Sequence, residues 1–334
     1  NYGWGTVSDT DTCFLEFVMT LLWRIDTMIS KNNKYPFVSI VIPTLNRNKD
    51  LVECLDSIQS LDYSKKKIEL IIWDNGSTDG TLEAVESKNK EMICKGFSKV
   101  VIIKSQENLG PYAPYNQVQS RLSRESQYIL GLDDDVVLDK DCLVKLIEVT
   151  RVDTCVGVVG GCVKYFDFPD KTIHSAGWIN WWLGRFIDLN TDKLTKCDYV
   201  TGCCWLIDKE AFNAIGGFDE DYFTMHWEMD FCSRVQKRGL NIYYQPEAIV
   251  KHKIPLKGKR EGLYYLYRNK LLLIRKNASP LQKMTSLTLY TLFWLPMIMR
   301  DSLMVNKGIN TKEMKVILIA IYHGIIGKTG RVEL

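Results

Sequence analysis

Three consecutive aspartates, Asp133 to Asp135, follow the apolar stretch 128–130, and this is the group in the sequence best suited to chemistry. If 128–130 is a strand, the aspartates lie at its carboxyl end, the edge where open α/β sheets bind ligands. Because side chains alternate along an extended chain, Asp133 and Asp135 point to the same side. Two such carboxylates suit Mg²⁺ or Mn²⁺. An acidic triplet can also be a solvated loop, so its interpretation depends on the surrounding elements.

The bulk composition indicates a globular protein. The 334 residues allow one large or two ordinary domains, with 46% hydrophobic and 25% charged residues. The net charge of +3 is too small to indicate a nucleic-acid partner. Ten scattered cysteines without a CxxC pair predict reduced, mostly buried thiols in a cytosolic environment. No signal peptide is visible, although the sequence starts at Asn1 rather than at a methionine.

Apolar and amphipathic stretches alternate between residues 37 and 149. Strands are predicted at 38–42, 68–73, 100–103 and 128–130, and helices at 50–61, from 80 to about 87, and at 141–149. This alternation predicts a mostly parallel sheet with right-handed crossovers. A polar cluster follows each strand, and one shared crevice accounts for all of these clusters.

The following stretch is less regular. It predicts strands at 156–161, 200–207, 242–244 and 248–250, an aromatic loop at 174–186 that holds Trp178, Trp181 and Trp182, and a helix from about 229 to 239. The two short strands before His252 place that histidine at a strand end as well.

Both ends of the chain carry apolar helical patterns. Residues 1–35 predict an amphipathic helix and a linker, and the helix either docks on the main domain or lies on a membrane surface. Residues 256–334 contain a basic, aromatic stretch and an uncharged run of sixteen residues between Lys283 and Arg300. A spanning helix needs about 20 apolar residues. Interfacial or re-entrant helices on an anionic membrane surface therefore fit better, with a buried core helix as the alternative.

Five motifs occur in order: VSIVIPTLN at 38–46, WDNGSTDG at 73–80, NLG at 108–110, LDDD at 132–135 and WEMDFCSR at 227–234. Together they resemble the family 2 glycosyltransferases of GT-A fold, and most of all the rhamnosyltransferase-like branch. The resemblance covers residues 37–275. It implies a catalytic domain at 36–255, with a nucleotide-sugar half at 36–150 and an acceptor half at 151–255.

The resemblance also implies an NDP-sugar donor and a divalent cation, Mn²⁺ or Mg²⁺. It assigns donor binding to Pro43, Thr44, Asn46, Arg47, Asp74, Asn75, Asn108, Gly110, Asn116, Asp133 and Asp134. It assigns the metal to Asp135, Asp133 and His252. The sequence departs from the family at 111–115, where a proline- and tyrosine-containing stretch replaces a usually glycine-rich one.

The family pattern Glu-Asp-x-Asp-x-Cys-x-Arg places Trp227 at the glutamate and Glu228 at the catalytic aspartate. Glu228 is thus the expected base, and Asp230 is either the fallback or an acid that stabilises a helix N-terminus. For acceptor binding the resemblance implies Gly202, Cys203, Trp182 and Arg268. Trp182 could equally pack in the core, and Arg268 is expected to contact a diphosphate or the membrane surface.

The expected activity is inverting, metal-dependent hexosyl transfer to a hydroxyl of a lipid-linked glycan, by a cytoplasmic protein peripheral on the inner membrane face. Three alternatives stay open. A processive polysaccharide synthase would carry a QxxRW motif, which is absent. A catalytically impaired scaffold that binds nucleotide-sugar or glycan is favoured only by the Trp227-Glu228 departure. A nucleotidyltransferase would need a glycine-rich, basic loop after the first strand.

Overall fold

The computed structural model describes residues 35–254, 262–297, 300 and 311–332. The amphipathic helix predicted before residue 35 lies outside the described residues. The described helices, numbered in chain order, are α1 (Asn48–Gln59), α2 (Thr81–Cys94), α3 (Ala113–Val118), α4 (Cys142–Val149), α5 (Lys209–Ile215), α6 (Trp227–Lys237), α7 (Leu263–Asn277), α8 (Pro280–Leu289) and α9 (Thr311–Ile326). A π-helical stretch, Tyr290–Trp294, continues α8.

The strands are β1 (Phe37–Thr44), β2 (Ile68–Asp74), β3 (Lys99–Lys104), β4 (Ser126–Leu132), β5 (Val136–Leu138), β6 (Val156–Tyr165), β7 (Thr172–His174), β8 (Ala176–Asn180), β9 (Arg185–Leu189), β10 (Thr195–Cys197), β11 (Cys204–Asp208) and β12 (Asn241–His252). The main sheet has the order β10-β12-β6-β11-β4-β1-β2-β3, with β5 paired to β12 and β7 to β6. β8 and β9 form a separate hairpin.

The first half is the parallel βα unit that the sequence predicts. β1 lies between β2 and β4 and is parallel to both, and six of the eight β1 residues, all but Pro43 and Thr44, belong to a fully buried run. One apolar core lies between the sheet and α1, α2 and α4. A second core, rich in aromatic rings, covers the opposite face under α3, α5 and α6. Both faces of the sheet are therefore covered, as the β-branched runs require.

The second half differs from the sequence prediction in three places. The predicted aromatic loop at 174–186 is the β8–β9 hairpin. The strand predicted at 156–161 continues through its glycines to Tyr165, because Gly160 and Gly161 leave room for Val200 and Ala248. The two strands predicted around 242–250 are a single strand, β12, whose register shifts between Gln245 and Ile249.

The C-terminal helices pack on the aromatic face of the domain and on each other. α7 lies against α6, α8 and α9. Gly324 allows α9 to approach α7, since a Cβ there would lie 2.8 Å from the Leu271 Cβ and 2.9 Å from the Arg268 carbonyl oxygen. Among the described residues, no helix combines the length and the apolar character needed to cross a bilayer.

Candidate functional site

The aspartate triplet occupies the turn between β4 and β5, and strand pairing places His252 beside it. β5 pairs with the end of β12, with Val136 opposite His252. His252 Nε2 consequently lies 2.8 Å from Asp135 Oδ1 and 3.8 Å from Asp133 Oδ2. Asp134 faces the other way and accepts a 2.7 Å hydrogen bond from the Thr44 hydroxyl. The alternation expected for the triplet is therefore present.

Cys203 joins the same group from a third strand. The residue precedes β11, which pairs with β4, and its carbonyl oxygen accepts a 3.1 Å hydrogen bond from the Asp133 N–H. One ligand atom each from Asp133, Cys203 and His252 lies within 4.8 Å of the others. Two carboxylates and an imidazole that converge in this way fit a divalent cation such as Mn²⁺ or Mg²⁺. The sequence placed Cys203 beside the acceptor, whereas the structure places its thiol against the metal-type residues.

The carboxylates of the acidic turn, Asp133 to Asp135, repel one another. Burial raises the pKa of Asp133 to about 6 and that of Asp134 to about 7, helped by their neighbouring carboxylates. Burial alone would also raise the pKa of Asp135, but its hydrogen bond to His252 lowers it. Arg47 adds a positive charge, with its guanidinium 3.5 Å from Asp135. A divalent cation would relieve the repulsion between these carboxylates.

The acidic turn borders a cavity of about 300 Å³. Eight of the expected donor-binding residues line it: Pro43, Thr44, Arg47, Asn75, Asn108, Gly110, Asp133 and Asp134. Leu45, Pro111, Phe223 and Thr224 complete the lining. The last two were missed by the sequence analysis, and their only signal is their position shortly before the WEMDFCSR motif. The cavity is thus built by the carboxyl ends of β1, β2 and β4 and by two loops.

Asn75 holds the loop that closes one side of this cavity. Its side chain accepts a hydrogen bond from the Leu109 N–H and donates one to the Gly110 carbonyl oxygen, at 3.1 and 3.2 Å. Gly110 has a φ of +86°, and a Cβ there would lie 2.8 Å from the Phe223 carbonyl oxygen. Glycine is required at this position by both the backbone conformation and the close approach.

Three expected donor-binding residues do not line the cavity and are engaged in loop contacts. Asn46 accepts a 2.8 Å hydrogen bond from the Thr78 N–H. Asp74 is buried and accepts one from the Ser77 N–H at 3.0 Å. Asn116 binds both the N–H and the carbonyl oxygen of Phe218. These contacts shape the walls of the site, and a direct role in donor binding stays a prediction for all three.

Glu228 lies in the first turn of α6, beside Gly202. A Cβ on Gly202 would lie 3.7 Å from the Glu228 Cβ and 2.8 Å from the Trp227 ring. The Trp227 ring stacks on Tyr112 at a centroid distance of 5.4 Å and packs edge-on against Phe218. Burial raises the pKa of Glu228 to about 7, and the Asp133 charge acts in the same direction. A group with this pKa can act as a general base near neutral pH.

Asp230, the fallback base, is already committed to other side chains. It is buried and forms a 2.7 Å ion pair with the Arg234 Nε. The Asn277 amide donates a 2.7 Å hydrogen bond to its other oxygen, and the Tyr222 hydroxyl a longer one of 3.4 Å. These partners join α6 to α7 and favour a structural role for Asp230.

Two non-glycine residues with left-handed backbone conformation precede α6. Met225 has a φ of +61° and His226 a φ of +64°. The His226 ring is buried against Phe186, and its pKa falls to about 3 because of burial and the nearby Lys270 charge. The imidazole is therefore neutral at physiological pH. Nothing in the sequence signalled this bend, because both residues are ordinary L-amino acids.

The remaining acceptor residues of the sequence analysis lie apart from the cavity. Trp182 is half-exposed in the turn of the β8–β9 hairpin. Arg268 is fully buried, donates a 2.6 Å hydrogen bond to the Gly330 carbonyl oxygen and lies over the Tyr265 ring. Since no part of this side chain is exposed, it does not reach a membrane surface in this structure.

Comparison with known proteins agrees with this geometry. The sequence model of glycosyl transferase family 2 matches residues 39–216. The chain belongs to this family. A second model, glycosyl transferase family group 2, matches residues 128–322. This family 2 chain also resembles, in structure, the mannosyltransferase PcManGT from Pyrobaculum calidifontis in complex with GDP-Man and Mn²⁺. The TM-score is 0.59 at 16% identity, and the match covers 93% of this chain and 96% of that one. This likeness confirms the expected GT-A fold.

Two curated relatives are more similar in sequence. The glycosyltransferase AglE of Haloferax volcanii is 32% identical over 136 residues, which is 40% of this chain and 41% of AglE. An N-acetylglucosaminyltransferase of Azorhizobium caulinodans is 30% identical over 181 residues, which is 51% of this chain and 40% of that protein. The matches therefore span less than half of the length of these relatives.

Proposed function

We propose that the protein is a metal-dependent, inverting glycosyltransferase that moves a sugar from an NDP-sugar to a hydroxyl of a glycan acceptor. The observation that carries the proposal is that the acidic turn with His252 borders the cavity, and that the Asp133 charge of this turn acts on Glu228, a carboxylate without a basic partner among the described ion pairs. Membership of family 2 supports the reaction class. The rhamnosyltransferase-like branch rests on the motif resemblance alone.

The donor is proposed to lie in the cavity, with its diphosphate towards the acidic turn. Asp133, Asp135 and His252 are the residues that would hold the cation. When bound, a divalent cation stabilises the charge that develops on the departing nucleoside diphosphate. Arg47, which is about half-exposed beside Asp135, can contribute a further positive charge. Thr44, Asn75 and Asn108 line the cavity in which the ribose and base are proposed to lie.

Glu228 is proposed as the base that removes the proton of the acceptor hydroxyl as its oxygen attacks the anomeric carbon. Gly202, which has no side chain, lies beside the Glu228 Cβ, and Asp230 is held by Arg234 and Asn277. One base without a second free carboxylate on α6 supports a single displacement, and hence inversion.

The decisive experiment measures nucleoside diphosphate release from a panel of UDP-, GDP- and dTDP-sugars with Mn²⁺ or Mg²⁺, with and without glycan acceptors. We expect release from one donor, its loss in Asp135→Ala, and a decrease of about 10²- to 10⁴-fold in Glu228→Gln. Product analysis by NMR then gives the anomeric configuration. If no nucleotide stabilises the protein against heat in the presence of metal, the proposal is wrong.

We further propose that the acceptor is lipid-linked and that the C-terminal helices rest on the cytoplasmic face of a membrane. Large apolar side chains of α8, its continuation and α9 are exposed: Leu281, Met284, Leu292, Phe293, Met297, Leu318, Tyr322, Ile325 and Ile326. Beside them is a cleft of about 420 Å³ whose lining includes Arg275, Lys276 and Lys283. Exposed apolar side chains next to basic ones are typical of surfaces that bind anionic lipid.

A further inference from the structure

We infer that Asn269 is a positioning residue, whose side-chain amide holds the left-handed bend before α6 and thereby sets the direction of the Glu228 carboxylate. The inference rests on the proposed role of Glu228 as the base. It gives a function to Asn269, the neighbour of Arg268, which the proposed reaction does not otherwise use.

The bend needs a support from outside its own sequence. Met225 and His226 both have positive φ angles, a conformation that L-residues adopt at a cost and keep only where the surroundings impose it. The His226 side chain does not provide the support through its Nδ1 atom, which is buried and has no hydrogen-bond partner in the described part of the chain. α6 starts at the next residue, so any change of the bend moves Glu228.

Asn269 provides this support from α7. The side chain is fully buried, and its Nδ2 donates hydrogen bonds to two consecutive carbonyl oxygens, those of Thr224 and, at 2.9 Å, Met225. Because an amide nitrogen has two N–H donors, a single asparagine satisfies both carbonyl oxygens. An aspartate of the same shape has no such donors and would face both oxygens with a negative charge.

Arg268 fixes the orientation of this amide. Its Nε donates a 2.7 Å hydrogen bond to the Asn269 Oδ1, which leaves Nδ2 directed at the bend. Arg268 is itself held by the Gly330 carbonyl oxygen and the Tyr265 ring. The Gly330 N–H in turn donates to the Asp221 carbonyl oxygen at 2.7 Å, at the start of the same loop. The C-terminal segment and α7 thus fasten both ends of residues 221–226.

The fastened loop serves two parts of the proposed site. Phe223 and Thr224 line the donor cavity, and Glu228 follows the bend in α6. Asn269 therefore lies at the point where a change in the loop would alter the distance between donor and base. Catalysis is sensitive to such changes, since a displacement of about 1 Å can cost about 10²-fold in rate.

The test is Asn269→Asp, which keeps the shape of the side chain and leaves Arg268 a partner. We expect kcat for sugar transfer to fall about 10- to 100-fold, and the donor KM to rise by a smaller factor, because Thr224 also lines the cavity. The matched control is Gln236→Glu, which makes the same amide-to-acid change at the other end of α6, where the Gln236 amide donates to the Cys197 carbonyl oxygen and to the Asp198 carboxylate. The new carboxylate would thus also face two oxygens, one of them charged. That control should retain kcat within about threefold.

A double-mutant cycle separates positioning from general damage. If Asn269 acts through Glu228, Asn269→Asp combined with Glu228→Gln has the same kcat as Glu228→Gln alone. A merely structural defect would multiply with the Glu228→Gln loss, and that result overturns the inference. Wild-type kcat in Asn269→Asp overturns it as well. If Glu228→Gln itself is fully active, the proposed base is wrong and the inference falls with it.

Loss of the fold is tested separately, by thermal unfolding and by metal-dependent nucleotide binding of each variant. If Asn269→Asp does not fold, Asn269→Ser replaces it, since a serine hydroxyl keeps one donor. The expected result for Asn269→Ser is a smaller loss of kcat with the same non-additivity towards Glu228→Gln, and a loss that multiplies contradicts the inference.

Discussion

At the scale of single residues, ion pairing distinguishes two carboxylates that lie two positions apart in α6. Asp230 is neutralised by Arg234, whereas Glu228 has no basic partner among the described ion pairs and a pKa near 7. The Glu-for-Asp departure from the family pattern therefore leaves a base with a suitable pKa, and its extra methylene changes reach rather than proton affinity. This favours an active enzyme over an impaired scaffold.

The pKa of Glu228 predicts the acid limb of the pH profile. A base must be deprotonated, so kcat for transfer should rise about tenfold per pH unit below pH 7 and level off above it. The measurement is kcat against pH at saturating donor, metal and acceptor. A profile that is flat between pH 5 and pH 8, about one unit or more on each side of this pKa, contradicts the assignment.

Cys203 gives a second prediction at this scale. Burial raises the pKa of its thiol to about 11, so it is protonated at neutral pH and a poor ligand for a hard cation. Cys203→Ser should therefore retain Mn²⁺-dependent activity within about threefold. Cd²⁺ should inhibit this variant less strongly than the wild type, because a thiolate binds soft cations best and the variant lacks the thiol. A higher Cd²⁺ concentration should then be needed to halve the activity. Loss of Mn²⁺-dependent activity in Cys203→Ser would make Cys203 a ligand instead.

At the scale of elements, the sheet brings together residues that are far apart in sequence. Asp135 and His252 meet because β5 and the end of β12 pair, and Cys203 joins them because β11 pairs with β4. The order of the strands, rather than any local motif, produces the metal-type group.

This topology explains how much could be predicted. The parallel half was predictable, because β-branched runs such as 38–42 are buried on both faces and alternate with helices. The hairpin at 176–189 was predicted as a loop, because its tryptophans Trp178 and Trp182 are exposed and do not follow the apolar alternation of a half-buried strand. β12 was divided in two because Pro246 and the register shift interrupt its apolar pattern. Phe223 and Thr224 reach the donor cavity through tertiary contacts of the loop 219–226, which no local sequence pattern records.

The crossing of α7 and α9 gives a prediction about an element. Gly324→Ala should destabilise the protein by about 1–3 kcal/mol, because the new Cβ would lie within 3 Å of the Leu271 Cβ and the Arg268 carbonyl oxygen. This exceeds the gain of up to about 1 kcal/mol in helix propensity. Leu318→Ala, on an exposed part of α9, should change stability by less than about 0.5 kcal/mol. Chemical unfolding measures both, and an unchanged Gly324→Ala refutes this account of the crossing.

At the scale of the whole molecule, the donor cavity and the basic cleft beside the C-terminal helices are separate, but the loop 219–226 contributes to the lining of both. Asp221 lines the basic cleft and Phe223 the donor cavity. Lys276, in the cleft, also forms ion pairs with Asp219 and Asp221. A membrane under the C-terminal helices would therefore lie next to the loop that carries the bend.

Vesicle flotation tests the membrane proposal. The protein should float with vesicles that contain phosphatidylglycerol and bind weakly to phosphatidylcholine alone. Replacing Leu292 and Phe293 together by aspartate should reduce binding at least about tenfold. The matched control is Val152→Asp, which changes an equally exposed apolar side chain outside the C-terminal helices. This variant should bind vesicles like the wild type. Equal flotation of both variants would refute a role for α8.

The stacking of Tyr112 on Trp227 has a consequence for protein engineering. Both residues are departures from the family pattern, one in the donor loop and one before the base, and their rings cover each other at 5.4 Å. A chimera that imports a glycine-rich stretch at 111–115 from a relative would remove the Tyr112 ring and leave one face of the Trp227 indole without its stacking partner, while Phe218 and Trp205 still pack edge-on against it. We therefore expect such a chimera to keep its stability only when residues 112 and 227 are exchanged together.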